Sequence, residues 1–292
     1  MRYWMTLAGR TALVETFAPL RPTAESVPFL RLLPEGEAPA ADLTVRLRPV
    51  RTLEPLPPGG HWEADQYFLS GPAGMRIYTC ALRGRPPYAV TEWHRGERTV
   101  ECRCLEDRAG EYGFMRSVWT LTGVETLLLT GGGLLLHAAL IRTAAGAVAF
   151  TAPPGTGKST QAELWRRHRG ADILNGDRAG LMPREDSWAA WGLPCAGSSG
   201  IYRNEGAPLA AVAVVRRSPD NRVTPLGPAR AFAALLPEIC VHRWDRDFTE
   251  EAVTALEALV TRVPVYTLEC RPDRGAVEAL AAALEKGRKQ PW

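Results

Sequence analysis

The sequence lacks a strong excess of charge of either sign. Its 292 residues carry 35 Lys and Arg against 32 Asp and Glu, which leaves a formal net charge of +3 at pH 7. A balance this close to neutral gives the chain no overall field that would favour nucleic acid or an anionic membrane surface. We therefore expect neither nucleic acid nor a membrane among its partners.

A long uninterrupted hydrophobic run is also lacking. The N-terminal segment MRYWMTLAGR does not contain the apolar stretch of a signal peptide, and the apolar segment 121–141 is interrupted by Glu125 and by three consecutive glycines. Both features argue against export and against a membrane span. The sequence therefore predicts a cytoplasmic protein.

Paired cysteine motifs are missing as well. None of the six cysteines has the CxxC spacing that is typical of zinc sites and redox pairs. Buried thiols are the simplest interpretation. Cys102 and Cys104 alternate along a predicted strand and so share one face, where a soft metal ion is the alternative interpretation.

The first hundred or so residues are rich in proline, glycine, arginine and aromatic residues. Alternating segments at 43–47, 75–82 and 88–93 are typical of short strands. Segments such as EPLPPGG are typical of exposed turns, because proline and glycine interrupt both helices and strand ladders. We therefore predict an N-terminal β-rich domain over residues 1–107.

A different pattern begins near residue 108. Apolar residues recur every three or four positions at 111–130, which predicts an amphipathic helix, and the glycines at 131–133 are expected to end it. Two apolar runs at 134–141 and 147–151 favour buried strands. The remaining predicted elements are strands at 171–174, 209–215 and 264–269 and helices at 158–168, 228–236, 248–261 and 274–284. This mixture predicts an α/β fold for the C-terminal domain, 108–292.

A phosphate-binding loop is the most specific motif in the sequence. Residues 152–159 read Ala-Pro-Pro-Gly-Thr-Gly-Lys-Ser, directly after one predicted strand and directly before a helical pattern. That strand–loop–helix context is what a P-loop requires. Ala152 stands where the usual pattern has its first glycine. The alternative is a glycine-rich turn without a ligand, but Gly-Lys-Ser after a buried strand is a costly pattern to keep for packing alone.

The residue types in this loop suit a nucleotide triphosphate with magnesium. Gly155 and Gly157 permit backbone conformations that let successive amide hydrogens converge on phosphate oxygens at a helix N-terminus. We expect Lys158 on the β and γ phosphates and the Ser159 hydroxyl on the Mg²⁺ ion that bridges them. The predicted nucleotide-binding residues are Pro154, Gly155, Thr156, Gly157, Lys158, Ser159 and Thr160.

The surrounding segment, 135–181, resembles the HPr kinase/phosphorylase family, whose core is related to the ATP-dependent phosphoenolpyruvate carboxykinases. Four features match in order: His137 on the strand before a hairpin, Gly146 before the P-loop strand, the loop at 155–159, and Arg169-Gly170 before the strand that leads to Asp177. The resemblance implies a P-loop core of the HPr kinase/carboxykinase type. Within this group, the segment is similar in particular to the HPr-kinase-like proteins associated with ribosomally made, modified peptides.

The resemblance also implies a role for Asp177. In that family, an acidic residue at the end of the strand after the P-loop helix helps to hold magnesium and takes the proton from the attacking hydroxyl. A turn or helix-cap aspartate is the alternative. The family carries two adjacent carboxylates here, whereas this sequence reads Asn175-Gly176-Asp177-Arg178. The missing carboxylate argues against the reverse, phosphate-releasing reaction and against HPr itself as the acceptor.

Three further residues are candidates for the site. The resemblance implies that His137 approaches the phosphates, although a histidine among leucines and alanines is also typical of a core. We expect Arg203 to neutralise transition-state charge and Glu205 to complete the magnesium shell, with a solvated charged loop as the alternative for both. The predicted catalytic residues are Asp177, Lys158, His137 and Arg203, and the predicted metal ligands are Ser159, Asp177 and Glu205.

The leading hypothesis is an ATP- and Mg²⁺-dependent kinase that transfers the γ-phosphoryl group to a serine-like hydroxyl of a peptide, a protein or a small metabolite. The alternatives are a nucleotide-dependent sensor or peptide-binding partner with little catalysis, and a carboxykinase-like enzyme. Residues 1–107 contain no phosphate-binding motif, so we expect them to recognise the acceptor. Four aromatic side chains in this region either line a peptide groove or pack in the core: His61, Trp62, Trp93 and His94. The choice between ATP and GTP, and homo-oligomer formation, stay open.

Overall fold

The structure is a computed structural model that describes residues 1–108, 124–243 and 245–289. The chain divides into two units, Met1–Leu127 and Leu128–Trp292. The predicted domain boundary, after residue 107, precedes this division, and the segment 109–123 lies outside the described residues. Most of the helix predicted at 111–130 falls on that segment. Its described end is helical at Val124–Leu129, which we call α1.

Strands dominate the first unit, in agreement with its predicted β-rich character. They are β1 Arg2–Leu7, β2 Arg10–Glu15, β3 Leu30–Leu32, β4 Leu43–Val50, β5 His61–Glu63, β6 Gln66–Gly71, β7 Gly74–Cys80, β8 Pro87–His94 and β9 Thr99–Leu105. Their order across the sheet is β3-β1-β2-β4-β9-β8-β7-β6-β5. The parallel neighbours are β2 with β4 and β4 with β9, and the other neighbouring pairs are antiparallel.

The two faces of this sheet differ in chemistry. Alternate residues of β1, β4 and β9 are buried, as expected of strands with one face toward a core. Among the residues that are not buried, Glu15 lies 3.0 Å from Arg2 and 2.9 Å from Arg46. Ion pairs in contact with water typically contribute about 0–1 kcal/mol. Apolar burial therefore holds this sheet together, and the ion pairs keep its other face polar.

Cys102 and Cys104 lie on the buried side of β9, with their Sγ atoms 3.5 Å apart. The Thr91 hydroxyl donates to Cys102 Sγ at 3.2 Å. In the described ranges no group of three His, Cys, Asp or Glu side chains could hold a metal ion. The soft-metal alternative therefore finds no third ligand there, and packing explains the two thiols.

The second unit mixes strands and helices, in agreement with the predicted α/β class. Its strands are β10 Leu134–Thr143, β11 Gly146–Thr151, β12 Asp172–Asn175, β13 Arg178–Pro183, β14 Trp188–Gly192, β15 Gly206–Arg217, β16 Arg222–Leu226 and β17 Val265–Cys270. Its further helices are α2 Lys158–Arg169, α3 Pro228–Leu235, α4 Arg246–Arg262 and α5 Arg274–Lys289. No helix in the described part of the chain is long and apolar enough to cross a membrane.

The sheet of this unit brings several strand ends to one edge. Its order is β11-β10-β13-β14-β15-β17-β16, with β12 paired to β10, and β11 also pairs with β15. The β11–β15 and β15–β17 pairs are parallel, so the C-terminal ends of these three strands lie at the same edge. Thr151 at the end of β11 pairs with Val214, so β15 continues past it to Arg217. The loop after β11 therefore emerges beside the end of β15.

The core under this edge fixes β11 and α2. Phe150 in β11 is fully buried, and its ring centroid lies 6.4 Å from that of Trp165 in α2. Both belong to one apolar cluster with residues of β10, β15, β17 and α5. Helix α2 ends at Gly170, which has the left-handed φ of 64° that glycine favours and donates to Arg166 O. Both elements that flank the loop are therefore held by packing.

Candidate active site

The loop between β11 and α2 has the backbone that its sequence predicts. Gly155 and Gly157 have φ values of 75° and 125°, in the region that favours glycine. Pro153 and Pro154 have no amide hydrogen, so Pro154, a predicted nucleotide ligand, cannot donate a backbone hydrogen bond to a phosphate. The first amides of α2, which begins at Lys158, have no partner within the helix. The loop therefore presents a helix N-terminus with free donors, as an anion site requires.

Lys158 is held inside this loop. Its side chain is buried, and Nζ donates to Ala152 O at 2.7 Å. Burial lowers the pKa of Lys158 below its ordinary value, and the nearby carboxylates of Glu238 and Asp177 oppose that shift. An ammonium group has three donors, and a buried cation is costly unless anionic or polar groups surround it. A phosphate group would therefore suit the remaining donors of Lys158.

The loop serine meets the strand end that carries Asp177. The Ser159 hydroxyl donates to Gly176 O at 3.4 Å, and Gly176 directly precedes Asp177. The Asp177 side chain is 28% exposed, so its carboxylate can reach a ligand. Hydroxyl and carboxylate oxygens are the donor types that Mg²⁺ prefers. Thr160, the last of the predicted nucleotide ligands, is exposed in the first turn of α2.

Asn175 fixes the backbone that presents Asp177. Asn175 is fully buried, and its Oδ1 accepts from the amides of Asp177 at 2.8 Å and Arg178 at 2.9 Å. Its Nδ2 donates to Leu193 O at 2.6 Å. A side chain that bonds the amides ahead of it closes a turn without further residues. Asn175 therefore holds the turn that leads into Asp177.

His137 lies between two carboxylates. Its Nε2 is 3.5 Å from Asp177 Oδ1, and its Nδ1 is 3.5 Å from Glu238 Oε2. The Ala138 amide, next along β10, donates to Asp177 O at 3.0 Å. The His137 side chain is 23% exposed, so it faces the site rather than a closed core. The structure thus brings His137 together with Asp177, and its approach to phosphates stays a prediction.

Glu238 and Arg178 are members of the site that no motif in the sequence singles out. Glu238 ends a 3-10 helix, and its side chain is 10% exposed. Arg178 Nε lies 3.4 Å from Asp177 Oδ2, and Arg178 Nη1 donates to Cys240 Sγ at 2.7 Å. Arg178 directly follows Asp177 in the sequence, and this adjacency is a signal from which a place in the site could be predicted. Glu238 lies far along the chain in a segment without a motif.

Arg203 and Glu205 lie elsewhere. Glu205 accepts from Arg142 at 2.7 Å, and Arg142 also pairs with Asp172 at 2.8 Å. Arg203 lies 3.8 Å from Asp172 and 4.0 Å from Glu205. Arg142 is four residues beyond Ala138 on β10, about 13 Å away at the usual rise of a strand. The structure therefore gathers Arg203 and Glu205 into a surface ion-pair cluster, at the other end of β10 from His137, rather than beside the loop.

A cleft of about 800 Å³ opens beside the loop. Its walls include the loop residues 152–156, the end of β15, and Glu238. Arg217 at the end of β15 donates through its guanidinium to Gly155 O and Thr156 O. These bonds tie the loop to the neighbouring strand. The cleft therefore lies between the loop, the end of β15 and Glu238.

Comparisons with known proteins give a distant likeness. Neither a family model nor a curated protein matches the chain. Among solved structures, the chain is similar to the HPr(Ser) kinase/phosphatase from Coxiella burnetii, with a TM-score of 0.32 and 11% identity, over 53% of this chain and 99% of that one. A likeness of this size extends at most to a distant fold relationship. The function of the site therefore has to be argued from its own geometry.

We expect Asn175→Ala to lower the free energy of unfolding by about 2–4 kcal/mol, since two partly buried amides and one buried carbonyl lose their partner together. Urea unfolding followed by circular dichroism measures the change. Asn175→Asp is the informative companion, because it keeps the acceptor for both amides and loses the donor to Leu193 O. A loss below about 0.5 kcal/mol for Asn175→Ala, the range of ordinary surface changes, would show that Asn175 does not hold the turn.

Proposed function

We propose that the protein is an ATP- and Mg²⁺-dependent phosphotransferase that moves the γ-phosphoryl group to a serine-like hydroxyl of a peptide, a protein or a small metabolite. The observation that carries this proposal is the bond from Ser159 Oγ to Gly176 O at 3.4 Å, directly before Asp177. A P-loop hydroxyl and a carboxylate at a nearby strand end are the two protein ligands that P-loop enzymes use for a magnesium-bound triphosphate. Their closeness supports one site for binding and transfer.

The loop would bind the triphosphate through backbone donors and one cation. The amides of Gly155 and Gly157 and the N-terminus of α2 favour negative charge, whereas the Thr156 amide already donates to Pro153 O. Lys158 adds a full positive charge, and its Nζ can exchange Ala152 O for phosphate oxygens within the same loop. Arg217 keeps the loop in place by bonding its carbonyls at Gly155 and Thr156. Nucleotide binding therefore requires Lys158 to exchange its hydrogen-bond partner, and it requires no change in the fold.

Asp177 is the residue that would accept the proton. The acceptor hydroxyl oxygen forms a bond to the γ-phosphorus, the bond from that phosphorus to the β–γ bridging oxygen breaks, ADP leaves, and the hydroxyl proton passes to Asp177. Ser159 and Asp177 would hold Mg²⁺, which neutralises phosphate charge when it is bound. His137, 3.5 Å from Asp177 Oδ1, orients the carboxylate from β10. General-base transfer of this kind typically contributes about 10²–10⁴-fold in rate.

Arg178 is better placed than Arg203 to meet developing negative charge. Its guanidinium contacts Asp177 at 3.4 Å, whereas Arg203 lies in the surface cluster with Asp172 and Glu205. Burial opposes the charge of Arg178, but Cys240, Cys195 and Asp177 outweigh it and raise its pKa above the ordinary value. An arginine in this position offers donors in a fixed fork that suits phosphate oxygens. We therefore transfer the role expected of Arg203 to Arg178.

We expect Mg²⁺-ATP to raise the melting temperature of the protein, and Lys158→Ala to abolish most of that rise, because the amides alone lack the charge to hold a triphosphate. Differential scanning fluorimetry at matched nucleotide concentrations measures both shifts. Lys286→Ala is the control, since Lys286 is exposed on α5. Equal shifts for wild type and Lys158→Ala would contradict a P-loop function.

We expect Asp177→Asn to leave nucleotide affinity within about tenfold and to lower phosphoryl transfer about a hundredfold or more, because a carboxamide cannot accept the proton. Transfer of labelled γ-phosphate to a pool of serine-containing peptides measures the rate, and Asp186→Asn, at an exposed position, is the control. Transfer at the wild-type rate would refute the role of Asp177. A wild type that binds ATP and transfers no phosphate would instead indicate a nucleotide sensor.

A further inference from the structure

A second cleft of about 580 Å³, lined by β15, β16, β17 and α3, lies next to the cleft beside the loop. The two share Arg216, Ala233 and Ala234 as a common wall. We treat these neighbouring clefts as one groove, which extends from the loop past the end of β15 and along β17 and β16. We call it the basic groove, and all of its lining lies within the second unit.

The basic groove carries an excess of positive charge. Four arginines and two glutamates line it, a difference of +2, and they are Arg216, Arg217, Arg222, Arg230, Glu238 and Glu269. Glu269 is already neutralised by two bonds from Arg222, at 2.9 and 2.7 Å. Arg216 and Arg230 are exposed, and neither forms an ion pair or hydrogen bond within the described part of the chain. Two guanidinium groups in the groove are therefore left for a ligand.

The chemistry of the groove favours anions of a particular kind. A guanidinium binds a carboxylate through two parallel hydrogen bonds, which adds geometry to charge. The chain as a whole has a net charge of only +3, so an excess of two positive charges in one groove is a local feature rather than a share of a basic surface. A ligand with several carboxylates complements it.

The position of the groove points to the acceptor rather than the nucleotide. Glu238 lines the groove at its loop end and lies 3.5 Å from His137, which in turn lies 3.5 Å from Asp177. Two successive side-chain contacts therefore connect the loop end of the groove with the carboxylate that would take the proton. Asp177 follows β12, which lies three strand spacings from β15 and five from β16, about 14 and 24 Å, which about four to seven residues of an extended chain cover.

From these observations we infer that the basic groove binds an acidic segment of a peptide or protein acceptor, with carboxylates about four to seven residues from the phosphorylated serine. The inference rests on the proposed function and narrows its acceptor class. Arg216 and Arg230 pair with the carboxylates, and the serine reaches Asp177 at the loop end. Acceptor recognition then involves the second unit, whereas the sequence pattern predicts it for residues 1–107.

The test is direct binding of two fluorescein-labelled ten-residue peptides, each with one central serine, flanked in one by glutamate and in the other by glutamine. Fluorescence anisotropy is measured with the full-length protein, Mg²⁺ and a non-hydrolysable ATP analogue. We expect the glutamate peptide to bind about tenfold tighter or more at low salt, and this preference to shrink as salt screens the charges. Equal affinities for the two peptides would overturn the inference.

Charge reversal locates the binding. We expect Arg216→Glu/Arg230→Glu to weaken the glutamate peptide about tenfold or more while the affinity for the ATP analogue changes less than about threefold. Arg167→Glu/Arg184→Glu is the matched control, with the same charge change at exposed positions outside the groove, and circular dichroism checks the fold of each variant. Unchanged peptide affinity in the groove variant would overturn the inference.

A nucleotide-binding role for the groove gives a different result. If Arg216→Glu/Arg230→Glu weakens the ATP analogue and leaves the peptide unaffected, the groove belongs to the nucleotide, and the inference is wrong. Failure of the wild type to bind the ATP analogue would refute the proposed function itself. A wild type that binds the analogue but does not prefer the glutamate peptide refutes the groove alone.

Discussion

The burial of β11 is the constraint on which the site depends. Residues Ala147, Val148, Ala149, Phe150 and Thr151 have no solvent exposure, and the strand is paired on both sides, with β10 and with β15. A strand held in this way delivers the following loop to one place. Since α2 is packed into the same core, the loop has to connect two fixed points, and glycines at positive φ make that path possible. The position of Lys158 inside the loop follows from this arrangement.

The second requirement is that the end of β12 meets the loop. Pairing of β12 with β10 brings it near, and Asn175 then turns the chain so that Gly176 accepts from Ser159 and Asp177 faces His137. Around that turn, cations and carboxylates lie close together in a partly buried environment, where their interactions are stronger than in water. A triphosphate with magnesium would enter a site whose charges are already held by strand pairing. Phosphoryl transfer needs such positioning more than it needs new covalent chemistry.

The sequence predicts those parts of the structure that depend on local pattern. The loop, the start of α2 at Lys158 and the strand before Asp177 are each encoded within a few residues, so periodicity and motif reveal them. Arg203 and Glu205 follow a flexible turn, and only the pairing of β10 with β12 decides that they meet Arg142 and Asp172 instead of the loop.

Long-range packing explains what the sequence does not reveal. Glu238 reaches His137 from a 3-10 helix about a hundred residues away, and no spacing rule connects them. The short strands β13, β14 and β16 carry no predicted pattern, because neighbouring strands rather than intrinsic preference define them. No motif in the sequence assigns a role to Asn175, and its role becomes visible through three hydrogen bonds.

The central claim is that the loop and Asp177 form one phosphoryl-transfer site. A crystal structure with Mg²⁺ and a non-hydrolysable ATP analogue tests it most directly. The account predicts that Lys158 Nζ leaves Ala152 O for the β and γ phosphates, and that the Asp177 carboxylate lies within about 3.2 Å of the metal or of the acceptor position, directly or through one water. An Asp177 carboxylate more than roughly 6 Å from both Mg²⁺ and the γ phosphate, beyond the reach of a single bridging water, would contradict it.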